Sequence, residues 1–288
     1  FYIGGTNAYA MTYTPAGPSV SFTRIGGYNS PADYALWPNH HPDIHVFAFK
    51  PNDPDTLFTG TDGGVHKTAT AFTDWVSLNN DYVTYQEYHI AISPNLGSDL
   101  ILGGAQDNGT HESANGTLHN TVLGGDGVAA AISSSGDYYL GFQRGPIYRY
   151  NSSVGFTSIR PSGSGASIFV TYFYLDPDND EYLYYADGAD LYRSTSASTA
   201  NPFSWTLMTG IGTATTANIR ALATTRGGGY SASDPTRKLY LGTQNGQVFV
   251  LDDPAFAGAG TVPTNITPPT AGLGIVSGIA VHPANDDE

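Results

Sequence analysis

A repeat of roughly 44 residues runs through this chain, a spacing within the range of about 40 to 50 residues expected for one blade of a propeller. The clearest copy, His45 to Asn80, contains the strands HVFAF, LFTGT, VHKT and WVSL, with the turns PNDPDT and DGG between the first three. More divergent copies begin at His89, Ala130, Phe173 and Ala221. One blade cannot bury both of its faces, so blades must stack radially. The repeat therefore predicts an all-β fold, a β-propeller of four-stranded antiparallel blades, with about six blades in this segment and room for more in a larger propeller.

The first strand of each repeat is predicted to line a central channel. Composition supports many short strands joined by tight turns, since the chain has 35 Gly, 18 Pro and 20 Tyr and only 12% charged residues. No window shows sustained helical periodicity, so almost no helix is expected. The predicted first strands lie near Val46–Phe49, Ile90–Ser93, Val128–Ile132, Phe169–Leu175, Ile219–Ala223 and Ile275–Val281.

The whole chain, residues 1–288, is expected to be a single propeller domain. Its start, FYIGGTNAYAMTYTP, aligns with KLYLGTQNGQVFVLDDP and so corresponds to the second strand of a blade, whereas VSGIAVHPANDDE at the other end is a first strand plus its turn. Either the last strand completes the first blade by strand exchange, or the chain is a piece of a longer protein. The second explanation is favoured because Asp286, Asp287 and Glu288 stop inside a turn that elsewhere leads into a strand.

The charge balance argues against several partners. The formal net charge is −14 with only 11 Lys and Arg residues, so the protein repels phosphate backbones and nucleic acid is not an expected partner. No apolar run approaches the ~20 residues of a membrane helix, so no membrane insertion is expected. The absence of cysteine excludes disulfides and thiolate chemistry. Abundant Asn, Thr, Ser, Gly and Tyr with little Lys is typical of extracellular proteins.

Four segments together resemble the sortilin-like and Asp-box repeat propellers, a family common in large secreted bacterial proteins described as glycosyl-hydrolase-like. The segments are His40–Thr68, GGAQDNGT (Gly103–Thr110), GGDG (Gly124–Gly127) and FQRGPIYRY (Phe142–Tyr150), and the resemblance covers nearly the whole chain. It implies a bacterial module at an extracellular or cell-surface location, with a structural or ligand-binding role and with glycans or other surface or secreted proteins as partners. The alternative is a glycoside hydrolase acting on polysaccharide, with catalytic carboxylates partly outside this segment.

The sequence gives little support to an enzymatic function. A sialidase-like site requires three arginines on the substrate carboxylate, a nucleophilic Tyr with a Glu partner, and an acidic Asp. None of the arginines stands in an Arg-Ile-Pro sequence, and glutamate occurs only at Glu87, Glu112, Glu181 and Glu288. A xyloglucanase-like site requires two carboxylates across a cleft between two propellers, and only one propeller is expected here. Catalytic residues are therefore unknown, and an enzymatic role is not favoured.

The Asp box itself is degraded. RSTSASTANPFSW keeps Ser194 and Trp205, and KTATAFTDW keeps only Trp75. In the family this motif is a surface hairpin whose Trp packs on the blade, so both tryptophans are expected to pack structurally.

Three aspartates are candidate ligand-binding residues: Asp62 in DGG, Asp107 in QDNG and Asp126 in GGDG. Asp or Asn followed by Gly is also the standard chemistry of hairpin turns, and this structural interpretation is favoured for all three. Asp126 differs because it directly precedes the apolar strand VAAAI, which would place its carboxylate near the channel entrance.

Two other patterns are better explained by structure. DPDND (Asp176–Asp180) resembles a calcium loop, but Glu181 occupies the position of the required Gly, and PNDPD stands at the same place in another repeat. The tyrosines Tyr182, Tyr184, Tyr185 and Tyr192 could stack on sugars, although Tyr is equally a favoured strand residue and packing is the preferred role.

His41, Asp43 and His45 alternate along a segment that is expected to be extended, so their side chains would face the same way. His41 and His45 would stand roughly 13 Å apart at a rise of about 3.3 Å per residue, so one ion cannot bind all three. Adjacent pairs could hold a divalent cation together with Asp62 or Asp126. The alternative, which is favoured, is that these side chains bind turn carbonyls and cap a neighbouring turn.

Overall fold

The computed structural model describes residues 1–16, 19–29, 35–69, 74–80, 85–116, 118–165, 168–226, 237–269 and 274–282. Their strands form six antiparallel sheets, of which five have four strands and one has three. Within every sheet each strand pairs with the next strand along the chain. This arrangement confirms the predicted all-β fold and the β-propeller class. The chain divides into two compact units, Phe1–Tyr85 and Gln86–Glu288.

The first unit contains two sheets. The strands of its first sheet are β1 (Tyr2–Gly4), β2 (Ala8–Thr14) and β3 (Ser19–Gly26). Those of its second sheet are β4 (Ile44–Lys50), β5 (Asp53–Thr61), β6 (Gly64–Thr68) and β7 (Trp75–Ser77). The buried core of this unit consists of Ala8, Ile25, Leu57 and Trp75.

The second unit contains four sheets of four strands. The first has β8 (Glu87–Ile92), β9 (Ile101–Ala105), β10 (Gly109–Ser113) and β11 (Asn120–Leu123). The second has β12 (Gly127–Ile132), β13 (Tyr138–Phe142), β14 (Ile147–Asn151) and β15 (Gly155–Ser158). The third has β16 (Tyr172–Leu175), β17 (Leu183–Asp187), β18 (Asp190–Ser194) and β19 (Thr206–Leu207). The fourth has β20 (Ile219–Thr224), β21 (Lys238–Thr243), β22 (Val248–Asp252) and β23 (Thr264–Asn265).

Helix is nearly absent from the described part of the chain, as predicted. It amounts there to one α-helix, α1 (Thr209–Thr215), and one 3₁₀ turn, Ala197–Thr199. Within that part no helix has the length and apolar character required to cross a bilayer.

Five of the six predicted first strands coincide with β4, β8, β12, β16 and β20. The strand predicted from Phe169 begins only at Tyr172, because the Thr171 hydroxyl donates to the carbonyl of Phe142 and accepts the N–H of Gly145, outside any ladder. The sixth prediction, Ile275–Val281, is wrong, since this segment forms no strand. Val276 instead donates its N–H to Thr243 and packs its side chain against Gly242.

Two glycines of the GGAQDNG and GGDG motifs allow neighbouring sheets to approach closely. A Cβ at Gly104 would lie 2.0 Å from the carbonyl oxygen of Val128, and a Cβ at Gly127 would lie 2.1 Å from that of Gly109. Both distances are far inside van der Waals contact, so no larger residue fits at either position. These motifs thus set the spacing between the first two sheets of the second unit.

The two Asp-box tryptophans each tie a sheet to the preceding one. In the first unit the buried Trp75 indole donates to the carbonyl of Ile25. In the second unit the Trp205 indole donates to the carbonyl of Ile159, which follows β15, at 2.8 Å. These contacts confirm that both residues pack structurally although the Asp and Gly of the Asp box are lost.

Candidate functional site

The innermost strands of the second unit line a cavity with a volume of about 760 Å³. These strands are β8, β12, β16 and β20, and the segment Ser277–Ile279 also contributes to the wall. Because each begins its sheet, their side chains project toward a common interior, as the repeat predicted. A volume of this size lies within the range of about 300 to 1,000 Å³ that is usual for sites binding small ligands.

One end of the cavity carries an aromatic and basic cluster, formed by His89, Tyr172 and Arg220. The guanidinium carbon of Arg220 lies 5.1 Å from the ring centroid of Tyr172. The imidazole of His89 approaches the same ring edge-on, with 5.6 Å between centroids. All three residues stand in the first half of their strands, so the cluster lies where the innermost strands begin. It therefore combines a cation with aromatic faces.

The charge of this cluster comes from Arg220. Burial lowers the pKa of His89, which favours the neutral imidazole at neutral pH. The Nε–H of Arg220 is buried and has no hydrogen-bond acceptor among the described residues. In the described part of the chain its guanidinium makes a cation–π contact with the ring of Tyr172.

The opposite end of the cavity carries the carboxylates of the DPDND turn, which follows β16. Asp176 accepts hydrogen bonds from the backbone N–H groups of Asp178 and Asn179 and is paired with Arg237. Asp178 binds both Arg237 and Arg226, at 2.8 and 3.0 Å. The turn is therefore held by arginines and by its own backbone, which supports the structural interpretation over a calcium loop.

Asp180, the last residue of this turn, binds the neighbouring sheet. Its Oδ2 accepts hydrogen bonds from the backbone N–H and the hydroxyl of Ser134, both at 2.6 Å. The three carboxylates at this end of the cavity thus all make specific contacts with donors of the protein. They anchor one sheet to the next.

Two of the aspartates predicted as ligand-binding residues come together. Asp107 occupies the turn between β9 and β10 with φ of +61°, and its N–H donates to the carboxylate of Asp126 at 2.9 Å. The N–H of Asp126 in turn donates to the side chain of Gln143. Asp126 thereby ties a hairpin turn to the link that leads into β12, which supports the turn interpretation of both residues.

The third candidate, Asp62, lies in the first unit in the turn between β5 and β6. Its carboxylate contacts the Nε2 of His45, a residue of β4 whose side chain is well exposed. The candidate metal ligand His45 thus has a carboxylate as its contact partner.

The expected extended segment through His41, Asp43 and His45 is wrong in its geometry. Asp43 adopts φ of +59°, so the regular strand begins only at Ile44. The backbone of this turn is held by Asp43 N–H donating to Thr6 and Ile44 N–H donating to Gly5. The Nδ1 of His41 lies 3.0 Å from the carbonyl oxygen of Pro42. The three side chains therefore do not alternate along one strand face, and the metal site stays a prediction.

Most tyrosines considered for sugar stacking are packing residues. Tyr184, Tyr185 and Tyr192 are buried, and Tyr185 donates its hydroxyl to the carbonyl of Gly145. Their ring faces are covered by protein, which confirms packing as their role.

The sequence interpretation did not select Arg220, Tyr172 or His89 as site residues. A usable signal was present, because β20 was predicted as a channel-lining strand and Arg220 interrupts its apolar run, Ile219 to Ala223. A charged residue on an innermost strand must face the channel or find a buried partner.

No family model and no curated protein matches this chain. Solved structures that are similar include the extracellular domain of BT4673 from B. thetaiotaomicron, with 17% identity and a TM-score of 0.49, where the match covers 98% of this chain and 36% of that one. An ancestral GH74 enzyme matches with 12% identity and a TM-score of 0.45, over 80% of this chain and 32% of that one. YCF48 bound to D1 peptide matches with 12% identity and a TM-score of 0.41, over 92% of this chain and 78% of that one. The chain spans about a third of the length of the BT4673 structure.

Proposed function

We propose that this chain is a β-propeller binding module that holds a glycan in the cavity of its second unit. The observation that carries the proposal is the apolar and aromatic lining of that cavity. Tyr88, Ile90 and Ile92 of β8 contribute to the wall while remaining 42%, 63% and 64% exposed. Large apolar side chains kept accessible in a concave site are typical of ligand-binding sites, and an aromatic ring packs well against the C–H face of a pyranose.

Binding rather than hydrolysis is the activity that the cavity supports. Glycoside hydrolysis generally requires two carboxyl groups that flank the scissile bond, one of them protonated. The carboxylates of Asp176 and Asp178 face arginines, and that of Asp180 faces Ser134. Groups held in this way are poorly placed to protonate a leaving group or to attack a sugar.

We further propose an extracellular or cell-surface location in a bacterium. The support is compositional: the chain contains only 11 Lys and Arg residues and is rich in Gly, Tyr and small polar residues. Limited proteolysis of intact source cells tests this location. Digestion of the protein without cell lysis is expected, and full protection in intact cells would contradict it.

A glycan array followed by affinity electrophoresis in soluble polysaccharides tests the binding function. Substitution of Tyr88 by Ala should weaken binding by up to about tenfold, the equivalent of one lost aromatic contact of about 0.5 to 1.5 kcal/mol. Tyr184→Phe is the matched control, because the buried Tyr184 hydroxyl has no hydrogen-bond partner among the described residues and the residue lies outside the cavity wall.

Two results would contradict the proposal. One is the absence of glycan retention by the wild-type protein, and the other is equal retention by wild type and Tyr88→Ala. Release of reducing sugars during incubation would instead favour the glycoside hydrolase.

A further inference from the structure

The guanidinium of Arg220 is the starting point for identifying the ligand. It lines the cavity, it stacks on Tyr172, and its Nε–H has no acceptor among the described residues. Other arginines of the same unit bind protein oxygens: Arg193 binds the carbonyls of Pro254 and Ala257, and Arg237 binds Asp176. Arg220 is therefore a cation in the cavity whose Nε–H donates no hydrogen bond to the described residues.

The ion pairs at the two ends of the cavity differ. The acidic residues of the DPDND turn lie beyond the far end of β16, about 13 Å along the strand from Tyr172 at a rise of about 3.3 Å per residue. Two of them, Asp176 and Asp178, are already paired with Arg237 and Arg226. Among the described residues no carboxylate forms an ion pair with Arg220, and guanidinium binds carboxylates strongly through paired hydrogen bonds.

The surroundings of Arg220 also restrict the kind of ligand molecule that can bear the anionic group. The ring of Tyr172 and the accessible side chains of Tyr88 and Ile90 form apolar walls of the same cavity. A fitting ligand must offer a carboxylate together with a rigid C–H face. Uronic acid residues combine these two features in one ring.

We propose that the cavity recognises a uronic acid residue of an acidic polysaccharide, with the sugar carboxylate bound by Arg220 and a ring face packed on the cavity aromatics. This inference rests on the proposed glycan-binding function and specifies its ligand. An uncharged sugar would leave the Arg220 guanidinium without an anionic partner, which makes selection for the acid a consequence of the site.

The test is isothermal titration calorimetry of the full chain with a tetramer of galacturonic acid and with the fully methyl-esterified tetramer. The two probes share one backbone and differ in charge. We expect the acidic tetramer to bind at least about tenfold more tightly, and Arg220→Gln to remove that preference, since one charge-assisted contact is lost. Arg220→Lys should retain part of it. Lys50→Gln is the control, because it removes one positive charge from an exposed ion pair in the first unit.

The outcomes separate this inference from the function on which it rests. Equal binding of both tetramers to a folded wild-type protein would overturn the inference and leave glycan binding intact, whereas binding of neither tetramer nor any neutral glycan would overturn both. An unchanged preference in Arg220→Gln, with circular dichroism matching wild type, would also overturn it. A hexaglutamate peptide that binds through Arg220 as tightly as the acidic tetramer would overturn the assignment to a sugar.

Discussion

Arg237 and Asp176 form a buried ion pair in the second unit, with Nη2 of the arginine 2.8 and 2.6 Å from the two carboxylate oxygens. Their side chains are 1% and 0% exposed. Asp176 follows β16 and Arg237 precedes β21, so the pair joins two neighbouring sheets. Removing Arg237 leaves the buried Asp176 carboxylate without its cation, which is far more costly than the loss of an exposed pair. Removing Asp176 leaves Arg237 still paired with Asp178.

We therefore expect Arg237→Ala to lower the free energy of unfolding of the second unit by about 3 to 5 kcal/mol, and Asp176→Ala to lower it less. Urea denaturation followed by far-ultraviolet circular dichroism measures this change. Arg226→Ala is the matched control: Arg226 binds Asp178 from a side chain that is 41% exposed, and its loss should cost less than about 1 kcal/mol. Equal effects of the buried and the exposed arginine would contradict the assigned role of the pair.

The Trp205 indole provides a second prediction. Trp205→Phe keeps an aromatic ring but leaves the carbonyl of Ile159 without its N–H donor, so we expect a loss of about 1 to 3 kcal/mol in unfolding free energy. Phe203→Ala, at an 84% exposed position of the same segment, should change stability by less than about 0.5 kcal/mol. Chemical denaturation measures the unfolding free energies of both variants. Similar denaturation midpoints for the two would contradict the role of the Trp205 indole in joining the two sheets.

The fold was predictable because each blade is a local unit. Strands that pair in a sheet are neighbours along the chain, so the repeat of apolar runs and Asp-Gly or Asn-Gly turns already contains the pairing pattern. The late start of β16 was not predictable, because it depends on the hydroxyl of Thr171 binding Phe142, a residue 29 positions earlier. The same holds for Val276, whose contact with Gly242 replaces the expected strand.

The candidate site was less predictable because its residues meet only across blades. His89, Tyr172 and Arg220 lie on three different innermost strands, and their contacts join positions dozens of residues apart. The Asp-Gly motifs that the sequence did highlight act in turns, as the contact between Asp107 and Asp126 illustrates. The predicted metal site depended on side chains that alternate along an extended strand. Asp43 has a positive φ, which ends the extended conformation and therefore this alternation.

For the predicted divalent-cation site, which stays a prediction, we test the pair His45 and Asp62, whose side chains are in contact. We expect Zn²⁺ to raise the melting temperature of the wild-type protein, because a ligand that binds only the folded state stabilises it by mass action. His45→Ala should abolish this rise, whereas His41→Ala should retain it, since His41 is directed to the carbonyl of Pro42. Identical wild-type melting curves in Zn²⁺ and in EDTA would eliminate the metal site.

His40 gives the first unit a predictable sensitivity to acid. The side chain is 3% exposed, its Nδ1 accepts the N–H of Gly27, and its Nε2 lies 3.0 Å from the hydroxyl of Thr59. Burial, followed by the neighbouring imidazoles of His66 and His41, lowers its pKa to about 3. The pKa of His66, whose ring centroid lies 5.0 Å from that of His40, is lowered by burial as well. Both rings are therefore held in the neutral form.

The pKa of His40 is lower in the folded protein than in the unfolded chain. As the pH falls, the unfolded chain is therefore protonated at His40 before the folded protein is. The contribution of His40 to stability is complete above about pH 6.5 and is lost progressively between about pH 6.5 and pH 3, at up to about 1.4 kcal/mol per pH unit. Urea denaturation across this range should show that slope, and His40→Gln should reduce it, with the remainder arising from His66 and other titrating groups. NMR provides an independent measurement: an imidazole of His40 that titrates near pH 6.5 in the folded protein would show that burial does not hold it neutral.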